Sequence, residues 1–205
     1  MSVSARTYRG VSAEERKAER REKLLAAGLE VLGTLGWERT TMTAVCAEAR
    51  LTERYFYESF SGREELLVAV ADQVAVEARA AVLAALRAAP AQPRAAAREA
   101  IAAFVGLFEA DPRKGRVAIL ESAAAPPMRR RRQELLREFT RLIVDEGHAL
   151  FGAAALPPPW DEINALLFAG GLAELVAAWL TGEIDATTEQ IIDAAADQFA
   201  ATAHR

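Results

Sequence analysis

Apolar and polar positions along this chain recur with the period of a helix from end to end, and no stretch alternates with the period of two that a strand needs. Ser12-Ala13-Glu14-Glu15 forms a capping box, and behind it Leu24, Gly28, Val31 and Leu35 fall on one face. This predicts a first helix that closes between Gly33 and Gly36. A short helix over 41–49 follows, then the turn Arg50-Leu51-Thr52, then a second short helix over 52–60 with Thr52 as its N-cap. Ser61-Gly62-Arg63-Glu64 reads as a second capping box. It opens a long helix that turns Leu66, Val70, Val74 and Leu83 inward and stops at Pro90 and Pro93. Further helices are expected over 94–110, 113–125, 128–151, 160–181 and 187–203. Asp111-Pro112, Pro126-Pro127, Pro157-Pro158-Pro159 and Gly182 separate them. The fold class is all-α, without internal repeats.

Composition narrows the picture. The 205 residues are 52% hydrophobic and 26% charged, a balance that folds and that can fill one large or two small domains. No unbroken apolar run reaches the roughly 18 to 20 residues of a membrane span, and the N-terminus lacks the apolar centre of a signal peptide. A single cysteine closes no intramolecular disulfide, which fits a reducing compartment, so the cytoplasm is the expected location. The net charge of −4 excludes a uniformly basic coat for nucleic acid, but the charge is uneven. Residues 1–63 hold 11 Lys/Arg against 9 Asp/Glu, and residues 64–205 hold 14 against 20. Arg6, Arg9, Arg16, Lys17, Arg20, Arg21 and Lys23 all precede the first strongly apolar turn, as a basic arm leading into a helix would.

Two short helices joined by a three-residue turn have the spacing of a helix-turn-helix, whose second helix enters the DNA major groove. Val45, Ala49, Leu51, Phe56 and Phe60 can close a small core behind it, and Cys46 is small enough for the helices to cross closely. That leaves Glu53, Arg54, Tyr55 and Tyr57 outside, where bases and phosphates would lie. Arg54 can donate to guanine, Glu53 can accept from cytosine, and Tyr55 can pack on a thymine methyl. Each has a plainer reading: Glu53 as a negative charge at a helix N-terminus, Tyr57 as a core-edge aromatic, Cys46 as a buried filler instead of a redox sensor.

The capped first helix followed by "TTMTAVCAEARLTERYFYESFSGREEL" resembles the N-terminal domain of the tetracycline-repressor (TetR) family of transcriptional regulators over about residues 24–66. The resemblance implies phosphate contacts for Thr41, at the start of the second helix, and for the tyrosine position, here Tyr57. Arg63 replaces the family's usual lysine and keeps its charge. Thr52, Glu53, Arg54 and Tyr55 occupy the leading turn of the recognition helix. Arg50 stands where the family usually has the glycine of the turn; in the left-handed conformation it costs roughly 1 kcal/mol, and it can add a phosphate contact. On this resemblance residues 1–63 are a DNA-binding domain and 64–205 a ligand-binding and dimerisation domain.

The remaining sequence carries weaker signals. No nucleophile, base and orienting group stand together, no phosphate-cradling glycine loop is visible, and neither a cofactor nor a metal is implied. His148 and His204 are too few and too far apart for a metal cluster. Arg129 to Arg132 can bind an anion or form a solvated face with Arg130 and Glu134 paired at i,i+4. Phe104, Phe108, Leu120, Glu121, Met128, Phe139, Ile143 and Phe168 are candidates to line an apolar pocket, or else ordinary core. Leu167, Gly170, Gly171, Leu175, Ala178, Trp179, Ile191, Ile192 and Phe199 lie on helices apolar on more than one face, and the resembled family pairs these two helices across a homodimer. The expectation is a non-enzymatic, homodimeric repressor of an inverted-repeat DNA operator, released by a largely apolar small molecule. The alternative is an all-α lipid- or small-molecule-binding domain, or an enzyme, whose front helices are only structural.

Overall fold

The computed structural model describes residues 12–202, so Arg6 and Arg9 of the basic arm, the expected helix end at 203, and His204 lie outside the described residues. The helices are α1 (Ala13–Leu35), α2 (Met42–Ala49), α3 (Glu53–Tyr57), α4 (Arg63–Ala88), α5 (Pro93–Ala110), α6 (Pro112–Gly115), α7 (Ser122–Ala124), α8 (Arg129–Phe151), α9 (Trp160–Leu180) and α10 (Thr188–Thr202). The described residues contain no strand.

The capping box at α1 is present in both directions. Ser12 Oγ accepts from the Glu15 amide at 3.1 Å, and the Glu15 carboxylate accepts from the Ser12 amide at 2.6 Å. That second bond holds the Glu15 carboxyl below its ordinary range. Gly36, at φ 78°, ends the helix in a conformation an L side chain rarely adopts. Leu24, Gly28 and Val31 are buried as expected, but Leu35 is 38% exposed. The Gly36 turn carries Trp37 inward, and the indole fills the end of that face instead.

Other boundaries shift for local reasons. Helix α3 is shorter than expected, ending at Tyr57, and Thr52 stands at its N-cap without a side-chain bond to the helix. The second capping box is displaced. Gly62 is the cap residue of α4, and Ser61, one residue earlier, gives both its amide and its hydroxyl to Glu65, not Glu64, at 2.7 and 2.8 Å. Helix α5 starts on Pro93 itself, whose missing N–H costs nothing at a first helical position. The single helix expected over 113–125 is broken by a π-helical segment, Arg116–Glu121, between α6 and α7. A wide turn of this kind holds an extra residue and rotates every side chain after it.

Two apolar clusters stack along the molecule. The first joins Leu24, Leu32, Val45, Phe56, Phe60, Leu66 and Val70, closed from the far side by Val117 and Met128. The second joins Val74, Ile101, Val105, Phe108, Val176, Ile191, Ile192 and Phe199. Helix α4 contributes to both, so it belongs structurally to both halves of the chain.

That second cluster corrects the expected dimer surface. Ile191, Ile192 and Phe199 are buried within their own subunit, where α10 packs on α5 and the Phe199 ring meets Phe168 edge to face at 5.1 Å. Arg94 pairs with Asp197, and Arg98 pairs with Asp193 and Glu189, which fixes α10 in register on α5. Leu175 and Trp179 are half-buried against the same cluster, and the Trp179 indole donates to the Ala186 carbonyl at 3.1 Å. Leu167 is 68% exposed, with Ile163, Leu166 and Trp160 exposed beside it on α9. By length and composition Trp160–Thr181 is the one described helix long and apolar enough to cross a membrane, although Asn164 and Glu174 interrupt its apolar run. It packs against α8 and α10.

Candidate nucleic-acid interface and internal cavity

The helix-turn-helix closes as its pattern requires. Val45, Phe56 and Phe60 are fully buried, Cys46 is nearly so, and Ala49 and Leu51 pack against them half-buried. Burial pushes the Cys46 thiol above its ordinary range, and the Glu53 carboxylate adds to the effect, so the group is kept as an unreactive thiol. Arg50 takes the left-handed conformation, φ 54° and ψ 40°, and its amide and that of Leu51 cap the end of α2. An arginine therefore performs the turn that glycine would make without strain.

The candidate DNA-contacting side chains fall into two sets. Thr41, Arg50, Thr52, Glu53, Arg54 and Tyr57 are exposed around the turn and the leading end of α3. Thr41 also caps α2, accepting from the Ala44 amide at 3.1 Å, which leaves its hydroxyl proton free to donate outward. Glu53 accepts from Thr43 of α2 at 3.4 Å, so it ties the two helices together while facing outward. Tyr55 and Arg63 are half-buried and committed within the fold. The Tyr55 ring lies 4.4 Å beneath the Arg20 guanidinium. Arg63 stacks on the Trp37 ring at 4.1 Å and donates to the carbonyls of Trp37 at 3.3 Å and Thr40 at 2.9 Å. It welds the α1–α2 loop to the start of α4.

Sequence reasoning missed two features here. Glu58 pairs with both Arg20 and Arg54, each at 3.3 Å, so half-buried Arg20 of α1 and exposed Arg54 of α3 share one carboxylate. The Glu58 spacing of four from Arg54 was a visible signal; the Arg20 contact, across 38 residues, was not. Trp37 and Thr40 are the other omission. Thr40 is fully buried and donates to the Gly36 carbonyl at 2.7 Å, shaping the loop that Arg63 clamps.

The second cluster is hollow. A cavity of about 200 Å³ lies between α4, α5, α8 and α9, floored by the π segment. Phe104, Phe108, Phe139, Ile143 and Phe168 line it as expected, with the Phe104 ring edge to face against Phe108 at 5.1 Å and Phe139 at 6.0 Å. Leu120, Glu121 and Met128 do not. The π segment turns Ala118 and Ile119 inward in their place and leaves Glu121 paired with Arg116 at 3.4 Å, while Met128 is consumed by the first cluster. Arg131, within the arginine run, reaches Asp72 of α4 at 2.6 Å and Glu138 at 2.8 Å, and Arg130 pairs with Glu134 at 3.0 Å. That run is a structural brace. His148 contacts Asp161 at 3.0 Å, and among the described residues no three His, Cys, Asp or Glu stand close enough to hold a metal.

The same π segment and α6 meet the last turns of α1. Arg113 pairs with Glu30 and with Asp111, and its side-chain bond to Asp111 holds that carboxyl below its ordinary range. Arg116 donates to the Thr34 carbonyl at 3.3 Å. Gly33 is required by close approach, because a Cβ there would lie 2.4 Å from Arg113 Cβ.

A closed three-helix unit whose third helix turns its leading residues to solvent, fused to a hollow helical body, defines a helix-turn-helix DNA-binding regulator fold. Residues 24–70 match the family model of bacterial regulatory proteins, tetR family. Solved structures share the whole architecture. The fatty acid degradation regulator FadR from Bacillus halodurans superposes with a TM-score of 0.75 at 14% identity, covering 91% of this chain and 97% of that one. A TetR-family regulator from Syntrophomonas wolfei gives 0.74 at 13% identity, over 88% and 92%. One from Marinobacter aquaeolei VT8 gives 0.65 at 20%, over 94% and 100%. At such identities the likeness is one of fold. No curated protein sequence matches the chain.

Proposed function

We propose that this chain is a cytoplasmic, homodimeric transcriptional repressor, with a DNA reader in residues 1–63 and a sensor in 64–205, released from an inverted-repeat operator by a small molecule bound in the cavity. The observation that carries the reading is helix α4. Its first turns put Leu66, Leu67 and Val70 into the reader's core, and its later turns put Val74, Ala78, Val82 and Leu86 into the cavity wall. A ligand pressing on that wall, or on Ile119 of the π segment that grips α1, biases the orientation of the reader. By reciprocity, an effector that binds better to the misaligned state lowers DNA affinity by the same factor.

Specific recognition needs two readers. One recognition helix contacts too few base pairs, whereas two held about 34 to 36 Å apart, or a multiple, match an inverted repeat. The exposed apolar side chains of α9, Ile163, Leu166 and Leu167 next to Gly170 and Gly171, support the partner surface, flanked by the outer face of α10. Leu167→Glu places a charge in the centre of that surface without touching the subunit core. Sedimentation then gives a folded monomer, and gel retardation of the DNA upstream of its own gene is lost. A wild-type monomer that binds one palindrome tightly would sink the dimer reading. Within the reader, Arg54→Ala should cost roughly 1 to 3 kcal/mol on the operator and relax choice at one base. Equal losses on operator and random DNA would reassign Arg54 to the backbone. No retardation at any salt would leave a cavity protein whose front helices are structural.

A further inference from the structure

The charges around the cavity do not cancel, and the remainder points to the chemistry of the occupant. Three charged side chains reach the lining: Arg132, Glu146 and Glu174. Arg132 donates to Glu174 at 2.7 Å, so these two neutralise each other at the rim. Glu146 has neither a hydrogen-bond nor an ion-pair partner among the described residues. It lies on the inward stripe of α8, one turn after Ile143 and one turn before Leu150, where every other lining position except Arg132 at the rim is uncharged. The space beside it is open. Gly147 on α8 and Gly170 on α9 both line the cavity, and a Cβ at either would meet nothing within 4 Å.

We propose that the effector is an apolar molecule bearing a single cationic group, and that Glu146 is its counter-ion. The inference rests on the cavity being the effector site. A neutral apolar ligand would strip water from Glu146 without compensating it, and an unpaired carboxylate in apolar surroundings is costly. An anionic ligand would meet the repulsion of two carboxylates and would have to take Arg132 from Glu174. A cation restores neutrality to the cavity, and the faces of Phe104, Phe139 and Phe168 in the same lining attract positive charge as well.

Titration calorimetry on the 205-residue chain with decyltrimethylammonium, decanol and decanoate, each below its micelle or solubility limit, separates the three chemistries at one chain length. The cation should bind at least about tenfold more tightly than decanol, the scale of one charge-assisted contact. Glu146→Gln, nearly isosteric, should bring the cation down to decanol's affinity while decanol binding stays unchanged, which also reports an intact cavity. No preference for the cation, or a preference that survives Glu146→Gln, overturns the proposal. So does tightest binding by decanoate that is lost in Arg132→Gln. Gel retardation with the same probes is read separately: a cation that binds through Glu146 but does not release DNA upholds the ligand class and removes the release mechanism.

Discussion

Around α1 the chain is packed until only glycine fits, whereas around α8 and α9 glycines border open space. A Cβ at Gly28 would come within 3.0 Å of Val70 and 3.1 Å of Leu66, and one at Gly33 within 2.4 Å of Arg113; at Gly147 and Gly170 it would meet nothing. Both regions are helical and both carry glycine on their helices, so neither secondary structure nor the presence of glycine separates them. The difference fits the division of task proposed above. A DNA reader has to hold a few side chains in fixed register, and close packing supplies that rigidity. A sensor has to keep room for its ligand, and so leaves part of its apolar surface unfilled.

Glycine to alanine, made once in each region, should have opposite effects. Gly33→Ala should destabilise the fold by about 1 to 3 kcal/mol, because the new methyl meets Arg113 backbone as well as side chain and α6 must move away. This outweighs the roughly 0.5 to 1 kcal/mol that alanine gains over glycine inside a helix. Denaturant midpoints at constant slope measure it. A stabilised variant would mean that the joint between reader and sensor is loose.

Arg63 tests whether the reader's rigidity and its DNA contact are the same property. Arg63→Ala removes a ring stack and two bonds to loop carbonyls, at an expected cost of about 1 to 2 kcal/mol in stability. If the guanidinium also meets a phosphate, the salt dependence of DNA binding flattens by about one unit of slope. Arg63→Lys keeps the charge and loses the planar fork, so it should keep the slope while sharing the loss of stability. An unchanged slope in the alanine variant would leave Arg63 as a clamp only.

On the hollow side the sign reverses. Gly147→Ala should stabilise the chain by about 0.5 to 1 kcal/mol, since the helix gains and no neighbour is displaced. The same methyl takes ligand space, so affinity for the cavity's occupant should fall as stability rises. Thermal unfolding and calorimetry on one preparation check both; a loss of stability would show that this space is not free.

The two regions also differ in how much could be read from sequence. The reader is specified by contacts three or four residues apart: the Ser12–Glu15 box, the Thr41 cap, the 50–52 turn and the inward phenylalanines Phe56 and Phe60. Local chemistry of that kind survives in a linear pattern. The sensor depends on features with no local signal. The π segment re-aims Ala118 and Ile119 and displaces Leu120 and Glu121, yet "RVAILE" reads as ordinary helix. Ile191, Ile192 and Phe199 carry an apolar stripe that fits an interface or a core equally well, and only the Arg94 and Arg98 pairs, about a hundred residues away in sequence, send it inward. The DNA-facing surface lies between these cases. Its exposed residues followed from the motif, but the Arg20–Glu58–Arg54 arrangement required the fold.

That arrangement yields the smallest and most discriminating effect. Glu58 holds Arg20 and Arg54 at 3.3 Å each, on the side of the reader that would approach a polyanion. Its carboxylate opposes DNA in two ways: it repels phosphate directly, and it occupies two cations that would otherwise release counterions. Exposed pairs of this type are worth at most about 1 kcal/mol, so Glu58→Gln should tighten binding only a few-fold. The gain should appear on operator and random DNA alike, and should shrink as salt rises, because phosphate attraction carries no sequence information. Gel retardation at two ionic strengths with both DNAs is sufficient to measure it. A loss of operator affinity with random DNA unchanged would reverse the assignment: Glu58 would then be holding Arg54 in its base-reading pose, and the reader's rigidity would extend from its core to its surface charges.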